Sequence, residues 1–159
     1  MDVASVYTLT TPGPDISFND FELHTEEDGY WLNSIDGYEA DLRVPRFNKP
    51  VTHGTRVLPG FFTGMAPGFT GEYVIQSTRV MDEIRAIRNY MRRQLRDALR
   101  SIIDADGTLA WDEPIPGDTI NCSLTVRYVE KLTTGFEASF AQSTFAFSLV
   151  SEASIPTEA

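Results

Sequence analysis

The chain has 159 residues, of which 42% are hydrophobic and 23% charged, and its formal net charge at pH 7 is -10. This length predicts one domain, residues 1–159, with a hydrophobic core of its own. The acidic balance opposes general binding to nucleic acid and to anionic membranes. One cysteine excludes an internal disulfide and, with two histidines, argues against a structural zinc site.

The sequence predicts neither a signal peptide nor a membrane-spanning helix. The N-terminal sequence has no basic segment followed by an apolar stretch, so no signal peptide is predicted. Apolar runs are short and interrupted by Gly and Pro, which predicts no transmembrane helix. We expect an ordered core over about residues 15–150 and a flexible polar tail over residues 151–159.

Hydrophobic alternation predicts strands in the first quarter of the chain. The stretches "DISFNDFELHT" and "YWLNSI" are interpreted as two strands joined through Asp28–Gly29. Asp36–Gly37 predicts a tight turn that leads into a further strand, "YEADLRV".

A long segment rich in Gly and Pro follows, from Pro45 to Gly71. Loops of this length are uncommon in compact domains and usually carry a function. Its large apolar side chains, with Phe61, Phe62 and Met65 as the candidate interface residues, suit packing against another chain. The alternative interpretation is that they fold back onto the protein's own core. "EYVIQST" then resumes as a strand.

One long helix is predicted from Val80 to Ile103, with Thr78 as a candidate N-cap and Gly107 as the stop beyond its last turn. At about 100° per residue an apolar stripe forms along it, and this stripe should face the sheet. Its members are Val80, Ile84, Ile87, Met91, Leu95, Ala98 and Ile102.

A stripe of arginines is predicted roughly opposite the apolar stripe, with Arg93 beside it. Its members are Arg85, Arg88, Arg92, Arg96 and Arg100. The helix has six arginines against three acids, a charge of +3, so the rest of the chain carries -13. Like charges one turn apart repel by roughly 1–2 kcal/mol in total along the stripe. One interpretation is that this face is solvated and that salt screens its repulsion. Another is that its arginines contact acids on the same chain or on a neighbouring chain. Binding to nucleic acid is disfavoured by the charge of -13 on the rest of the chain. Arg85, Arg88, Arg92 and Arg96 are the candidate interface residues.

The C-terminal third predicts more strands. "TLAWDEPIPGD" indicates a short strand and a turn at Pro116–Gly117–Asp118. "TINCSLTVRYV" alternates strictly, with Cys122 on the apolar face. After a turn at Thr134–Gly135, "FEASFAQSTFAFSLV" changes phase between Phe140 and Phe145, which predicts a bulge or bend.

No catalytic, cofactor or metal site is predicted, and we expect the protein not to be an enzyme. Asp112 and Glu113 would point to opposite faces of one strand, so they are poor acid/base partners. His24 and His53 lie in no hydrolase, metalloprotease or phosphate-loop motif. Cys122 on an apolar strand face is interpreted as an inert core thiol.

The order of these features resembles the N-terminal domain of siphophage distal tail proteins. The resemblance rests on "DGYWLNSIDGYEADLRVPRF", then "HGTRVLPGFFTG", then "GEYVIQSTRVMDEIRAIRNYMRRQLRDALRSI", and covers about Ile16 to Val150. Ile35, Asp36 and Gly37 match a short turn of that family, and Arg43 and Pro45 stand where a polar strand end usually lies.

The resemblance implies a mainly β fold with one long helix, a β-sandwich or split barrel related to tail-tube subunits. It implies a hexameric homo-oligomer ring that joins the tail tube to the tail-tip or baseplate hub and its tail-fibre proteins. DNA would pass transiently through the ring, without membrane contact. The protein would be made in the host cytoplasm and reside in the virion. Because the sequence ends at Ala159, we expect no carbohydrate-binding-like second domain of the kind that longer members carry.

Two alternative functions stay open. One is a tail-tube or tail-terminator subunit, in the same structural class. The other is a small carbohydrate-binding β-sandwich module that would use exposed Trp31 and Trp111. Core or hairpin packing is the competing explanation for both tryptophans. A hydrolase using Asp112 or Glu113 is the least favoured interpretation.

Overall fold

A computed structural model describes residues 4–20, 28–37, 42–43, 46–48, 55–57, 61–62, 64–75, 80–128, 133–136, 143–153 and 155–159. It is mainly β with one long helix, which confirms the predicted class. The elements in chain order are β1 Tyr7–Thr10, β2 Ile16–Phe18, β3 Gly29–Asp36, β4 Leu42–Arg43, β5 Arg46–Asn48, β6 Thr55–Val57, β7 Phe61–Phe62, β8 Gly68–Val74, α1 Met81–Ser101, β9 Gly107–Ile115, β10 Asp118–Tyr128, β11 Thr133–Phe136, β12 Ser143–Val150 and β13 Thr157–Glu158.

Seven of the strands close into a β-barrel. Around the barrel the order is β1, β2, β3, β8, β12, β10 and β9, and β9 returns to β1. Neighbouring strands are antiparallel except β2 and β3, which run parallel. The ring of strands closes where Arg127 and Tyr128 of β10 pair with Val150 and Leu149 of β12.

The barrel interior is filled by the apolar faces of alternating strands. On β10 the side chains of Cys122, Leu124 and Val126 are all buried, as the alternation predicts. Phenylalanines from three strands pack in the centre: Phe69 stacks on Phe147 with ring centroids 5.3 Å apart, and Phe18 stacks on Phe69 at 6.1 Å. Such aromatic contacts stabilise the core beyond the area they bury.

The last predicted stretch of alternation, "FEASFAQSTFAFSLV" and the turn before it, contributes to two strands, β11 and β12. The side chains of Phe145, Phe147 and Leu149 in β12 are buried as predicted. The predicted turn at Thr134–Gly135 is wrong, because both residues belong to β11, which pairs with β12. The phase change expected near Phe140 lies outside the described residues.

The first two predicted strands do not form a hairpin, because Gly29 is the first residue of β3 and β3 runs parallel to β2. Asn19 ends β2 with a left-handed φ of 62°, a conformation that asparagine tolerates better than most residues. Its buried side chain accepts the Leu32 N–H at 2.8 Å and donates to the Ser5 carbonyl at 3.0 Å. Gly37, in the predicted turn, directly follows β3 and has a left-handed φ of 63°, while residues 38–41, into which that turn would lead, lie outside the described residues.

The segment from Pro45 to Gly71 is not a structureless loop. β5 pairs with β6, and outside them β4 pairs with β7, so the four short strands are nested like one long hairpin. β8 already begins at Gly68. The glycines and prolines therefore separate short paired strands, which satisfy backbone groups that a bare loop would leave to water.

Described residues near both ends of the chain pair with strands of the barrel. Tyr7 and Leu9 of β1 are fully buried, so the core begins before residue 15. Part of the segment predicted as a flexible tail contacts the barrel: Ser151 is buried, and β13 pairs with Ser123 and Cys122 of β10. The tail is held because β10 offers it unpaired backbone groups at the edge of the sheet.

The helix α1 is slightly shorter than predicted and lies across one end of the barrel. Val80 is the N-cap and contributes no side-chain bond; Asp82 and Glu83 occupy the first turn as expected. The Tyr30 hydroxyl donates to the Met91 carbonyl at 2.7 Å and ties the middle of the helix to β3. Gly107 is the first residue of β9, while Ile102 forms the C-cap.

The hairpin of β9 and β10 extends past its neighbours. β1 pairs with β9 as far as Trp111, and β13 pairs with β10 as far as Cys122. Beyond these points β9 and β10 pair with each other. One further backbone bond reaches this part of the hairpin, from the Ala159 N–H to the Asn121 carbonyl. We call residues 112–121 the acidic arm. Its turn at Pro116–Gly117 is as predicted, with a Gly117 φ of 81°.

Candidate interaction surface

The arginines of α1 lie beside its buried face rather than opposite to it, which corrects the predicted arrangement. Arg88 is itself buried, with 9% of its surface exposed, and Arg92 and Arg96 are half-buried. Arg85, Arg93 and Arg100 are exposed. Arg88 lies on the same side of the helix as Leu95 and Leu99, so the stripe meets the core face at Arg88 and turns out to solvent from there to Arg100.

The physical reason is that only the C-terminal half of α1 packs fully on the barrel. Leu95, Ala98 and Ile102 of the predicted apolar stripe are fully buried, as is Leu99 beside it. At the other end Val80 is 63% exposed, and Ile84 and Ile87 are half-buried. Two further apolar side chains of the N-terminal half, Met81 and Tyr90, are 52% and 64% exposed. This half therefore overhangs the barrel with apolar surface in water.

The outward-turned arginines near the C-terminal end form a cationic surface. We call Arg93, Arg96 and Arg100 the arginine flank. Arg96 donates from Nε and Nη2 to Asp97 Oδ1 at 3.2 and 3.1 Å, and 42% of the Arg96 side chain and 51% of the Asp97 side chain remain open to solvent. Exposed pairs of this kind contribute little to stability. The flank thus keeps more cationic than anionic side chains at the surface.

The remaining predicted interface residues are not brought together with these arginines. Met65 is in the core, only 2% exposed, and its N–H donates to the Ala153 carbonyl at 2.9 Å. Its burial removes Met65 from the candidate interface. Phe61 and Phe62 form β7, which pairs with β4 in the nested hairpin.

A groove of about 640 Å³ lies between α1 and the β2–β3 region. Tyr30, Ile87 and Tyr90 contribute apolar surface to it, and three acids also line it, Asp15, Asp20 and Asp28. Burial, together with the neighbouring Tyr73 and Tyr90, raises the pKa of the Tyr30 hydroxyl above its usual range. Sequence patterns could not reveal this groove, because its lining comes from three separate segments.

A second cavity, of about 310 Å³, lies where β10 approaches the segment that follows β12. Arg127, one of its lining residues, donates from Nε to Asp106 Oδ1 at 2.7 Å. This hydrogen bond raises the pKa of Arg127, whose guanidinium stays cationic. The pair is exposed and shapes the surface without forming a catalytic arrangement.

Two of the residues considered for catalysis or glycan binding, Trp111 and Cys122, are buried in the core. Trp111 is 3% exposed, and its indole N–H donates to Glu113 Oε1 at 2.9 Å. Trp31 is half-buried. Cys122 is buried, and burial followed by the charge of Glu113 raises the pKa of its thiol. His24 and His53 lie outside the described residues.

Within the part of the chain that the structure describes, no group of three or more His, Cys, Asp or Glu side chains could hold a metal ion. Among the described residues, no helix is both long enough and apolar enough to cross a membrane. No protein-family model and no characterised protein matches the chain.

Proposed function

We propose that this chain is a non-enzymatic structural subunit of a siphophage tail tip. Copies of it assemble into a ring, hexameric as the family resemblance implies, that joins the tail tube to the tail-tip hub and lets DNA pass. The observation that carries this proposal is the helix α1, whose arginine flank and overhanging apolar half are both displayed on a chain of net charge -10.

Charge complementarity between identical subunits supports assembly into a ring. An acidic chain that concentrates its arginines on one helix presents two surfaces of opposite sign. In a ring each copy contacts its neighbour through two different patches, so a cationic patch can meet an anionic one at every interface. Charge pairs at such an interface set orientation and specificity. The apolar side chains at the overhanging end, such as Val80, supply surface that association removes from water.

The finer fold that we propose is a split barrel of the tail-tube type. In the described residues β10 and β12 meet through two residue pairs, whereas β9 and β10 meet through nine. The seam between β2 and β3 has one residue pair, and seams with so few backbone bonds are easier to open or to displace than the long pairing of β9 with β10. This feature supports a barrel whose two halves are held mainly by core packing.

The alternatives differ in what the same surface would do. A tail-tube or tail-terminator subunit would also form a ring, and it would occupy another position in the tail. A carbohydrate-binding module is less well supported, because Trp111 has its indole buried and bonded to Glu113. An exposed aromatic platform would be needed to stack on a sugar.

Immunogold electron microscopy of phage particles that carry this chain tests the proposal. Antibody against the purified protein should label the distal end of the tail. Label along the tube would indicate a tube subunit, and label beside the head would indicate a terminator. Particles without label, combined with glycan binding by the purified chain, would refute a role in tail structure.

A further inference from the structure

The acidic arm is a two-stranded projection whose side chains face solvent on both sides. Its described residues include Asp112, Glu113 and Asp118 and no basic residue. Cross-strand pairing places Glu113 opposite Ile120 and Ile115 opposite Asp118, so these four residues share one face. Ile115 is 40% exposed and Ile120 is half-buried. This face therefore combines two carboxylates with two isoleucines.

A projecting hairpin of this size gains little stability from itself. Two strands without further neighbours are marginal in water. A protein keeps an extended apolar and acidic face most readily where another surface covers it. The composition of the face indicates a partner that is cationic and partly apolar.

The arginine flank has that composition and lies at the other end of the barrel. Arg93 and Arg100 are exposed, and Ile103, just beyond the last helical turn, is 49% exposed. The flank spans about 10 Å along the helix and each four-residue strand of the arm about 13 Å, so the two surfaces are similar in length.

The arm cannot reach the arginine flank of its own chain. β9 starts at Gly107, where an added side chain would touch Ile102 at the end of α1. From there β9 runs away from the helix to Ile115, about 26 Å at 3.3 Å per residue. The complementary surfaces are thus at opposite ends of one barrel, about a strand length apart, so we assign their contact to neighbouring molecules.

We propose that the acidic arm of one copy binds the arginine flank of the next copy, head to tail. The inference rests on the proposed ring and names the two patches that form its repeated interface. Glu113 and Asp118 approach Arg93 and Arg100, while the exposed isoleucines cover one another. A contact between two different patches closes into a ring when the rotation between neighbours divides a full turn.

Charge reversal with rescue tests this pairing by light scattering over a range of concentrations. The arm variant is Glu113→Arg with Asp118→Arg, and the flank variant is Arg93→Glu with Arg100→Glu. A fourth protein combines all four changes. The control is Asp20→Arg with Glu152→Arg, two exposed acids outside both surfaces. Each reversal of an acid adds two charges to -10, so the arm variant and the control both carry -6.

We expect the arm and flank variants each to assemble roughly tenfold or more weakly, because like charges then oppose each other. The combined variant should recover assembly, and the control should match the wild type. Melting temperatures verify that each variant is folded. If arginine at position 113 unfolds the arm, Glu113→Gln with Asp118→Asn retains the acceptor for Trp111 and should still weaken assembly.

The outcomes separate this inference from the proposed function. A wild type that forms rings while the arm variant assembles equally well overturns the inference and leaves the ring intact. The inference is also overturned if both variants are folded and dissociated but the combined protein fails to reassemble. A wild type that stays monomeric at every concentration overturns the proposed ring itself.

Discussion

Replacing Tyr30 with Phe tests how the helix is held on the barrel. The Tyr30 hydroxyl donates to the Met91 carbonyl at 2.7 Å, and its ring lies 5.8 Å from both Phe18 and Tyr73. Phenylalanine keeps the ring contacts and removes only the hydrogen bond. The loss should be about 0.5–1.5 kcal/mol in the free energy of unfolding at pH 8, or roughly 2–4 °C in Tm for each kcal/mol.

The same hydroxyl predicts a dependence on pH. Burial raises the pKa of Tyr30 in the folded protein, whereas an unfolded tyrosine titrates near 10. Below pH about 10 both states are protonated, and the stabilisation is fully present. As the pH rises further, the unfolded state alone loses its proton, so the wild type loses up to about 1.4 kcal/mol per pH unit. The phenylalanine variant does not undergo this loss.

Urea unfolding at pH 8 and pH 11 measures both effects. The advantage of the wild type over Tyr30→Phe should be present at pH 8 and should vanish or reverse at pH 11. Tyr90→Phe is the matched control, since Tyr90 is 64% exposed and its hydroxyl should matter little. Equal stability of Tyr30→Phe and wild type at pH 8, or a difference that is constant with pH, would refute the tether.

Three further predictions concern the barrel itself. Cys122 should resist thiol reagents until the protein unfolds, because it is 3% exposed and burial raises its pKa; rapid labelling of the native protein would contradict this. Leu124→Ala should lower the free energy of unfolding by roughly 2–5 kcal/mol in urea titrations, since its side chain is buried. Gly71→Ala should be strongly destabilising in thermal melts, because the added methyl group would overlap the Trp31 carbonyl oxygen. Gly117→Ala meets open space and costs only the strain of its positive φ, about 1–2 kcal/mol, so equal losses for the two glycine variants would be evidence against the close pairing of β3 and β8.

Local periodicity predicted the parts of the fold that have one buried face. β10 could be identified because a strand alternates with period two and one of its faces fills the barrel. The helix could be placed because apolar residues recur near 3.6 along it. The turn at Gly117 follows from Pro and Gly in adjacent positions.

Features set by distant contacts could not be predicted. Asn19 ends β2 because Ser5, Tyr30 and Leu32 bond to it, and no local pattern reveals those partners. The tail is ordered because it completes the edge of β10. Both features depend on where remote segments meet.

The candidate site was predicted in outline but not in orientation. The helix and its arginines were recognisable from spacing, yet Arg88 is buried. Which side of α1 faces the core depends on its contacts with distant strands, such as the hydrogen bond between Tyr30 and Met91. Helical periodicity alone does not contain that information. Met65 was misplaced for a related reason: its backbone is held by the segment after β12, nearly ninety residues away in sequence.

The most direct test of the ring is the mass of the wild-type protein in solution, measured by multi-angle light scattering at low ionic strength. A hexamer of 17.8 kDa subunits has a mass of about 107 kDa, and high salt should reduce it because exposed charge pairs are screened over about 8–10 Å. We expect a single assembled species near this mass. A mass of 17.8 kDa at every protein concentration and salt level would contradict the account.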